Sequence, residues 1–423
     1  MHILIVADHA WINGGQSKVA IESALGLAGR GHRVTYFAAV GPADKRLEKA
    51  GISVVCMEQY DISTAPSAAA FFKQYMWNRP AAAKLAEVLA GMDRKDSVVH
   101  VHAFAKAVSP SIGPVLVNTQ VPVLYTMHEF FLVCPNGGFY DYQTAQTCQR
   151  TPLSLSCIAT NCDSRSYKHK AMRVARQVLI NRGGLHKAFK NIVMISELQQ
   201  SVSQPFIRPD AHYFRVGNPV DVADPGSKSR IGSDFLFVGR ISREKGIEHF
   251  CESARISGIS PVIAGDGPML EELKQRYPEA RFLGWQKPEA VQALLRQARA
   301  LVFPSVWYEG QPLTVIESLA MGTPVIVSDV CAGREAITDG RNGLWFKSAD
   351  EADLARALTR LSDDGEAARM TRNAHADYWA NPLSLNRHLD AIEAVYATLL
   401  GRDSGAALQA QVADMRREPA AAI

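Results

Sequence analysis

The feature that most constrains the fold is a strand–helix alternation that stops at a polar linker and then starts again. His2-Ile3-Leu4-Ile5-Val6-Ala7 opens the chain as an apolar run suited to a parallel strand buried on both faces. A glycine-bearing loop, Asn13-Gly14-Gly15, follows. Next comes a helical stretch, 17–28, closed by Gly29 and Gly31. Further strands are expected over 33–38, 98–102, 122–125 and 191–195. The turn-forming stretch Asp224-Pro225-Gly226-Ser227-Lys228-Ser229 then interrupts the pattern. Strands are expected again over 235–238, 261–264, 281–284, 300–304 and 324–328. Alternation of this kind implies parallel α/β sheets, and 423 residues suit two such units better than one. The expected organisation is a first domain over 1–223, a second over 224–380, a helix over 381–400 that could cross back to the first, and a flexible tail over 401–423.

Composition excludes some functions. The net charge is only +4, so nothing points to nucleic acid as a partner. Asp8 ends the first apolar run before it reaches the length of a leader, and no run approaches a membrane span of about 18 residues. A cytosolic protein is expected, with its seven cysteines as thiols or metal ligands rather than disulfides.

Chemistry concentrates in the second half. Val238-Gly239-Arg240 ends a strand and Glu244-Lys245-Gly246 follows it. Loops at this end of parallel strands face the ligand crevice, where two cations would neutralise a diphosphate. Ala264-Gly265-Asp266-Gly267-Pro268 makes a tight strand-to-helix turn. The segment Glu309-Gly310-Gln311-Pro312-Leu313-Thr314-Val315-Ile316-Glu317 is the sharpest. Pro312 favours a helix start there, and the free N–H groups of a helix start attract anions. Each piece also has a plain reading: solvated loop charges, a capped turn, and an exposed glutamate.

Taken in order and spacing, these elements resemble glycosyltransferase family 4, the retaining enzymes of GT-B fold. The resemblance implies two Rossmann-like domains facing each other across a cleft. It implies that Arg240 and Lys245 bind a donor diphosphate, that Glu309 contacts the transferred sugar, and that Glu317 holds the ribose. Gly239, Gly265, Gly267, Gly310, Gln311, Pro312, Leu313 and Thr314 would line the donor. Gln311 stands where the family commonly has an aromatic residue. In the first half the resemblance places Gly14 and Gly15 near the donor phosphates, and His128 of Thr126-Met127-His128-Glu129 at the catalytic centre. His100 and His102 are taken as structural.

The activity so implied is transfer of a sugar from a UDP- or GDP-linked donor to a saccharide or lipid-linked acceptor, with retention and with no required cofactor. No Asp-x-Asp element is present to suggest a metal-bound diphosphate. Bacterial polysaccharide or glycolipid assembly is the expected setting. A sugar-nucleotide 2-epimerase and a non-catalytic sugar-nucleotide-binding protein are the alternatives. Cys134, Cys148, Cys157 and Cys162 would suit zinc by number but not by spacing. The stretch 165–190 carries eight Lys/Arg and no Asp or Glu at helical spacing. It reads equally as a helix lying on an anionic membrane or as a core helix with a solvated basic face.

Overall fold

The computed structural model describes residues 1–402. The tail expected beyond Arg402 lies outside them.

Two parallel sheets organise the chain. The first has seven strands in the spatial order Ser53–Gln59, Arg33–Val40, His2–His9, Ser97–Val101, Val123–Met127, Asn191–Met194 and His212–Arg215. The second has six: Arg281–Gly284, Val262–Ala264, Phe235–Val238, Ala300–Phe303, Val325–Ser328 and Gly343–Phe346. Apolar side chains of His2–His9 point alternately to the two faces, so Leu4 and Val6 enter one core and Ile3 and Ile5 the other. Helices cover both faces of each sheet, and the result is a three-layer arrangement built twice.

Three edge strands escape the sequence pattern: Ser53–Gln59, His212–Arg215 and Gly343–Phe346. The first two are only partly buried and carry Glu, Gln, His and Arg, so they lack the continuous apolar run of a central strand.

The helix Leu385–Leu399 is capped by Ser384 and packs on Gly15–Gly29 in the first unit. Leu389, Ile392 and Val395 enter the core there. Burial of three such side chains is worth roughly 5–9 kcal/mol as an upper figure. The helices approach so closely at Gly26 that an added Cβ would lie 2.5 Å from Leu389. Arg30 ties the same junction to Asp390 at 2.7 Å and Glu393 at 2.5 Å.

Candidate functional site

The wall expected to face a donor is built from strand ends. Gly239 and Gly265 follow adjacent strands, and their loops stack: an added Cβ at Gly265 would collide with the Gly239 carbonyl oxygen, and one at Gly267 with that of Ile241. Ile241 N–H donates to Asp266 O at 2.9 Å. These glycines thus hold two loops together. Arg240 stands exposed at their tip.

Lys245 lies in the turn Arg243–Lys245, which Gly246 ends with φ 68°. Its Nζ donates to Glu309 Oε1 at 2.5 Å. The same oxygen accepts from Ser305 Oγ and from Trp307 Nε1, each at 2.7 Å. Burial alone would raise the Glu309 carboxyl; Lys245, Trp307 and Ser305 outweigh it and hold the group below its ordinary value. Sequence reasoning missed Ser305 and Trp307. Their signal was proximity to Glu309, four and two residues upstream. It also missed Glu244, a buried residue that accepts from Ser242 Oγ at 2.7 Å and shapes the Lys245 turn.

The helix Leu313–Ala320 begins directly after Pro312, and its first N–H groups, at Leu313 and Thr314, have no intrahelical acceptor. Gly15 faces this start across the gap, its Cβ position 3.9 Å from Leu313 Cδ1. Gly14 has open space beside it. Burial pushes the Glu317 carboxyl up, and Lys18, from the helix after the Gly-Gly loop, opposes it. Gln311 is turned away: its Oε1 accepts from the Asn218 N–H at 2.6 Å, in the chain that links the two sheets. Gly310 backs onto the first domain, where a Cβ would meet Ile195 Cδ1 at 3.0 Å and the His128 carbonyl oxygen at 3.4 Å.

His128 follows the strand Val123–Met127. Its Nε2 is 3.1 Å from His102 Nδ1. The rings of His100 and His102 lie 4.1 Å apart, and His100 bonds Tyr396 and Thr126 at 2.7 Å each. Burial, with His388 adding to it, pushes His128 down to about 3 and holds it neutral.

Lys245, Glu309, Gly310 and the His128 carbonyl therefore converge, and so do Gly15, Leu313 and Glu317 with Lys18. Arg240 makes no hydrogen bond or ion pair among the described residues. Cys157 and Cys162 flank Lys170. Among the described residues no group of three or more His, Cys, Asp or Glu could hold a metal ion. Within the basic stretch, the helix Tyr167–Arg182 buries Lys170 and Arg176, each 1% exposed, and Arg173 pairs with Asp163 at 2.9 Å. No described helix is long and apolar enough to cross a membrane.

The fold and cleft define a class. Residues 230–377 match the family described as Glycosyl transferases group 1. HepE of Anabaena, solved in complex with UDP, superposes with a TM-score of 0.63 at 16% identity, covering 94% of this chain and all of HepE. Its complex with UDP-glucose gives the same TM-score. Two Rossmann-like α/β domains facing across a cleft, the GT-B architecture, are thus the fold.

Similar sequences are glycosyltransferases by name. The chain is similar to an alpha-D-kanosaminyltransferase of Streptomyces kanamyceticus, 31% identical over 38% of this chain and 44% of that one. A UDP-Gal:alpha-D-GlcNAc-diphosphoundecaprenol alpha-1,3-galactosyltransferase of Escherichia coli is 27% identical over 39% and 46%. A putative teichuronic acid biosynthesis glycosyltransferase of Bacillus subtilis is 28% identical over 69% and 68%. The chain spans less than half the length of the first two. Family match, relatives and fold together support the GT-B glycosyltransferase superfamily.

Proposed function

We propose that the chain is a retaining, metal-independent glycosyltransferase of family 4 that moves a sugar from a UDP- or GDP-linked donor to an acceptor hydroxyl in polysaccharide or glycolipid assembly. The observation that carries this reading is the Lys245–Glu309 pair at 2.5 Å, set beside the free N–H groups of Leu313 and Thr314. Glycosyl transfer builds negative charge on the departing diphosphate, and preorganised donors there lower the barrier most. Arg240, Lys245 and the helix start supply that charge and those donors. Glu309 accepts from sugar hydroxyls, Glu317 from the ribose, and Gly14 and Gly15 let the phosphates approach. Neutral His128 contributes its backbone or its remaining ring nitrogen beside the sugar. The acceptor hydroxyl attacks the same face, and the leaving phosphate takes its proton.

A lipid-linked acceptor and peripheral membrane contact belong to the same proposal. Leu155, Ile158 and Tyr167 are 88%, 38% and 46% exposed, and Arg165 and Lys168 lie near them in the chain. Such a mixture suits an anionic membrane interface.

Incubation with UDP- and GDP-sugars and lipid or saccharide acceptors tests the reading. Transfer should fall by orders of magnitude in Lys245→Ala and Glu309→Ala while both variants stay folded. Near wild-type rates in both would overturn the site.

A further inference from the structure

Lys170 sits on the inner face of the helix Tyr167–Arg182, 1% exposed. Among the described residues its Nζ has two hydrogen-bond partners, both sulfurs: Cys162 Sγ at 3.2 Å and Cys157 Sγ at 3.6 Å. A buried ammonium needs polar partners, and here the two sulfurs supply them. Burial pushes the Cys162 thiol up, and Lys170 opposes that without outweighing it, so the thiol stays above its ordinary value. Cys157 and Cys162 are themselves 6% and 5% exposed, at either side of the turn that ends the helix Leu155–Ala159. Both sulfurs lie within 3.6 Å of one nitrogen, which limits their separation to at most about 7 Å.

The turn at Cys162 connects through hydrogen bonds and ring contacts to the residues around Glu309. The Cys162 carbonyl accepts from Asn136 Nδ2 at 2.8 Å and from the Tyr142 N–H at 3.4 Å. Tyr142 follows Tyr140–Asp141, one side of a short hairpin. The Tyr140 ring meets Trp307 edge-on at 6.3 Å, and a Cβ at Gly138 would come within 2.8 Å of the same indole. Trp307 in turn donates to Glu309, and Lys245 lies 5.5 Å over its ring. The cysteine pair and the group that holds Glu309 are thus two ends of one packed segment.

We propose that Cys157 and Cys162 are a peroxide-sensitive dithiol, held reduced beside Lys170, whose oxidation loosens the hairpin from Trp307 and weakens the donor site. The Cys162 thiolate attacks one peroxide oxygen; the O–O bond breaks, giving a sulfenic acid and, with a proton, water. The Cys157 sulfur then displaces hydroxide from that sulfur, which leaves as a second water. Two thiols and one hydrogen peroxide become one disulfide and two waters, and a dithiol reductant reverses the change. The disulfide draws both sulfurs to each other and leaves the Lys170 ammonium without a partner, so the helix and the Cys162 turn must move. The effect on the donor wall rests on the reading of Glu309 given above.

The test needs no transfer assay, so a failed transferase reading leaves it decidable. Purified protein is treated with equimolar hydrogen peroxide, alkylated and peptide-mapped by mass spectrometry. Expected is a Cys157–Cys162 link, lighter by two hydrogens, that Cys157→Ser and Cys162→Ser abolish and Cys251→Ser does not. Lys170→Met should slow its formation about tenfold. Hydrogen exchange at 138–142 should quicken on oxidation, and UDP affinity should fall several-fold, both restored by dithiothreitol. Three results would each overturn the proposal: thiols that stay reduced in the folded protein, thiols masked by one bound zinc until chelator is added, or a disulfide that leaves exchange at 138–142 unchanged.

Discussion

Glu309→Gln separates the two partners of the central pair. The substitution keeps shape and keeps an acceptor for Trp307 and Ser305, but it leaves Lys245 without its counter-charge. Removing one partner of a buried pair costs about 3–5 kcal/mol. Lys245 retains 20% of its side-chain exposure and can recruit water, so roughly 2–3 kcal/mol is expected here. With the second domain unfolding as its own unit of roughly 150–200 residues, that lowers its Tm by roughly 4–10 °C. Affinity should move the other way. The carboxylate repels a diphosphate placed on Lys245; over about 6–8 Å, at an effective dielectric constant of about 20–40, its loss is worth roughly 1–2 kcal/mol. UDP should therefore bind Glu309→Gln roughly 5- to 30-fold more tightly, while sugar transfer collapses. Lys245→Met should share the loss in Tm but bind UDP at least about tenfold more weakly. Calorimetric titration of UDP into wild type and both variants decides the matter at one salt concentration. If the two variants shift UDP affinity in the same direction, Lys245 does not face the diphosphate.

Gly246→Ala should lower Tm and UDP affinity together, because φ is 68° and the new Cβ would strike the Pro304 carbonyl oxygen; Gly258→Ala, at φ 66° with nothing nearby, should cost only about 1–2 kcal/mol and spare binding. Gln311→Met strips the Asn218 N–H of its acceptor, costing about 1–2 kcal/mol; kcat should drop with UDP affinity preserved, and a weaker Kd in titration would count against that assignment. Burial holds His100, His102, His128 and His388 below the ordinary histidine value. The unfolded chain takes up their protons below about pH 6.5 while folding opposes it, so stability is lost as pH falls, by roughly 1.3 kcal/mol for His128 between pH 7 and 5.5 and in the same direction for the others. Denaturant midpoints at those two pH values measure it, and an unchanged midpoint would refute the neutral-histidine picture.

What the sequence revealed follows from what periodicity encodes. Central strands such as His2–His9 and Phe235–Val238 are buried on both faces and announce themselves as apolar runs. Edge strands such as Ser53–Gln59 depend on a neighbour for burial, so their side chains stay mixed. Motif spacing placed Lys245 near Glu309, because both sit on loops at the same end of one sheet. It could not show that Gln311 serves the linker at Asn218, since that contact spans 93 positions and two domains. The basic stretch shows the limit of charge counting. Arg176 donates to the Ala105 carbonyl oxygen and lies between the Tyr75 and Phe131 rings, and Lys170 is among sulfurs. Counted as free surface charge, both are in fact packing elements.

The two walls of the cleft differ in charge, and the proposed reaction requires that difference. The donor wall offers Arg240, Lys245 and the N–H groups at Leu313 and Thr314 to a group that becomes more negative. The opposite wall faces a sugar ring that becomes positive. A protonated His128 there would oppose the transition state; at about 7 Å and an effective dielectric constant of about 20, the repulsion is roughly 2 kcal/mol. That charge is prevented by the fold itself. His102 bonds His128, the His100 ring lies 4.1 Å from that of His102, and Tyr396 of the crossing helix bonds His100. Protonating His128 would bury a charge, with His388 adding to the penalty, and its value is pushed down to about 3. The helix Leu385–Leu399 thus joins the two domains and, through Tyr396 and His388, sets the electrostatics of the wall that the proposed reaction turns to the sugar.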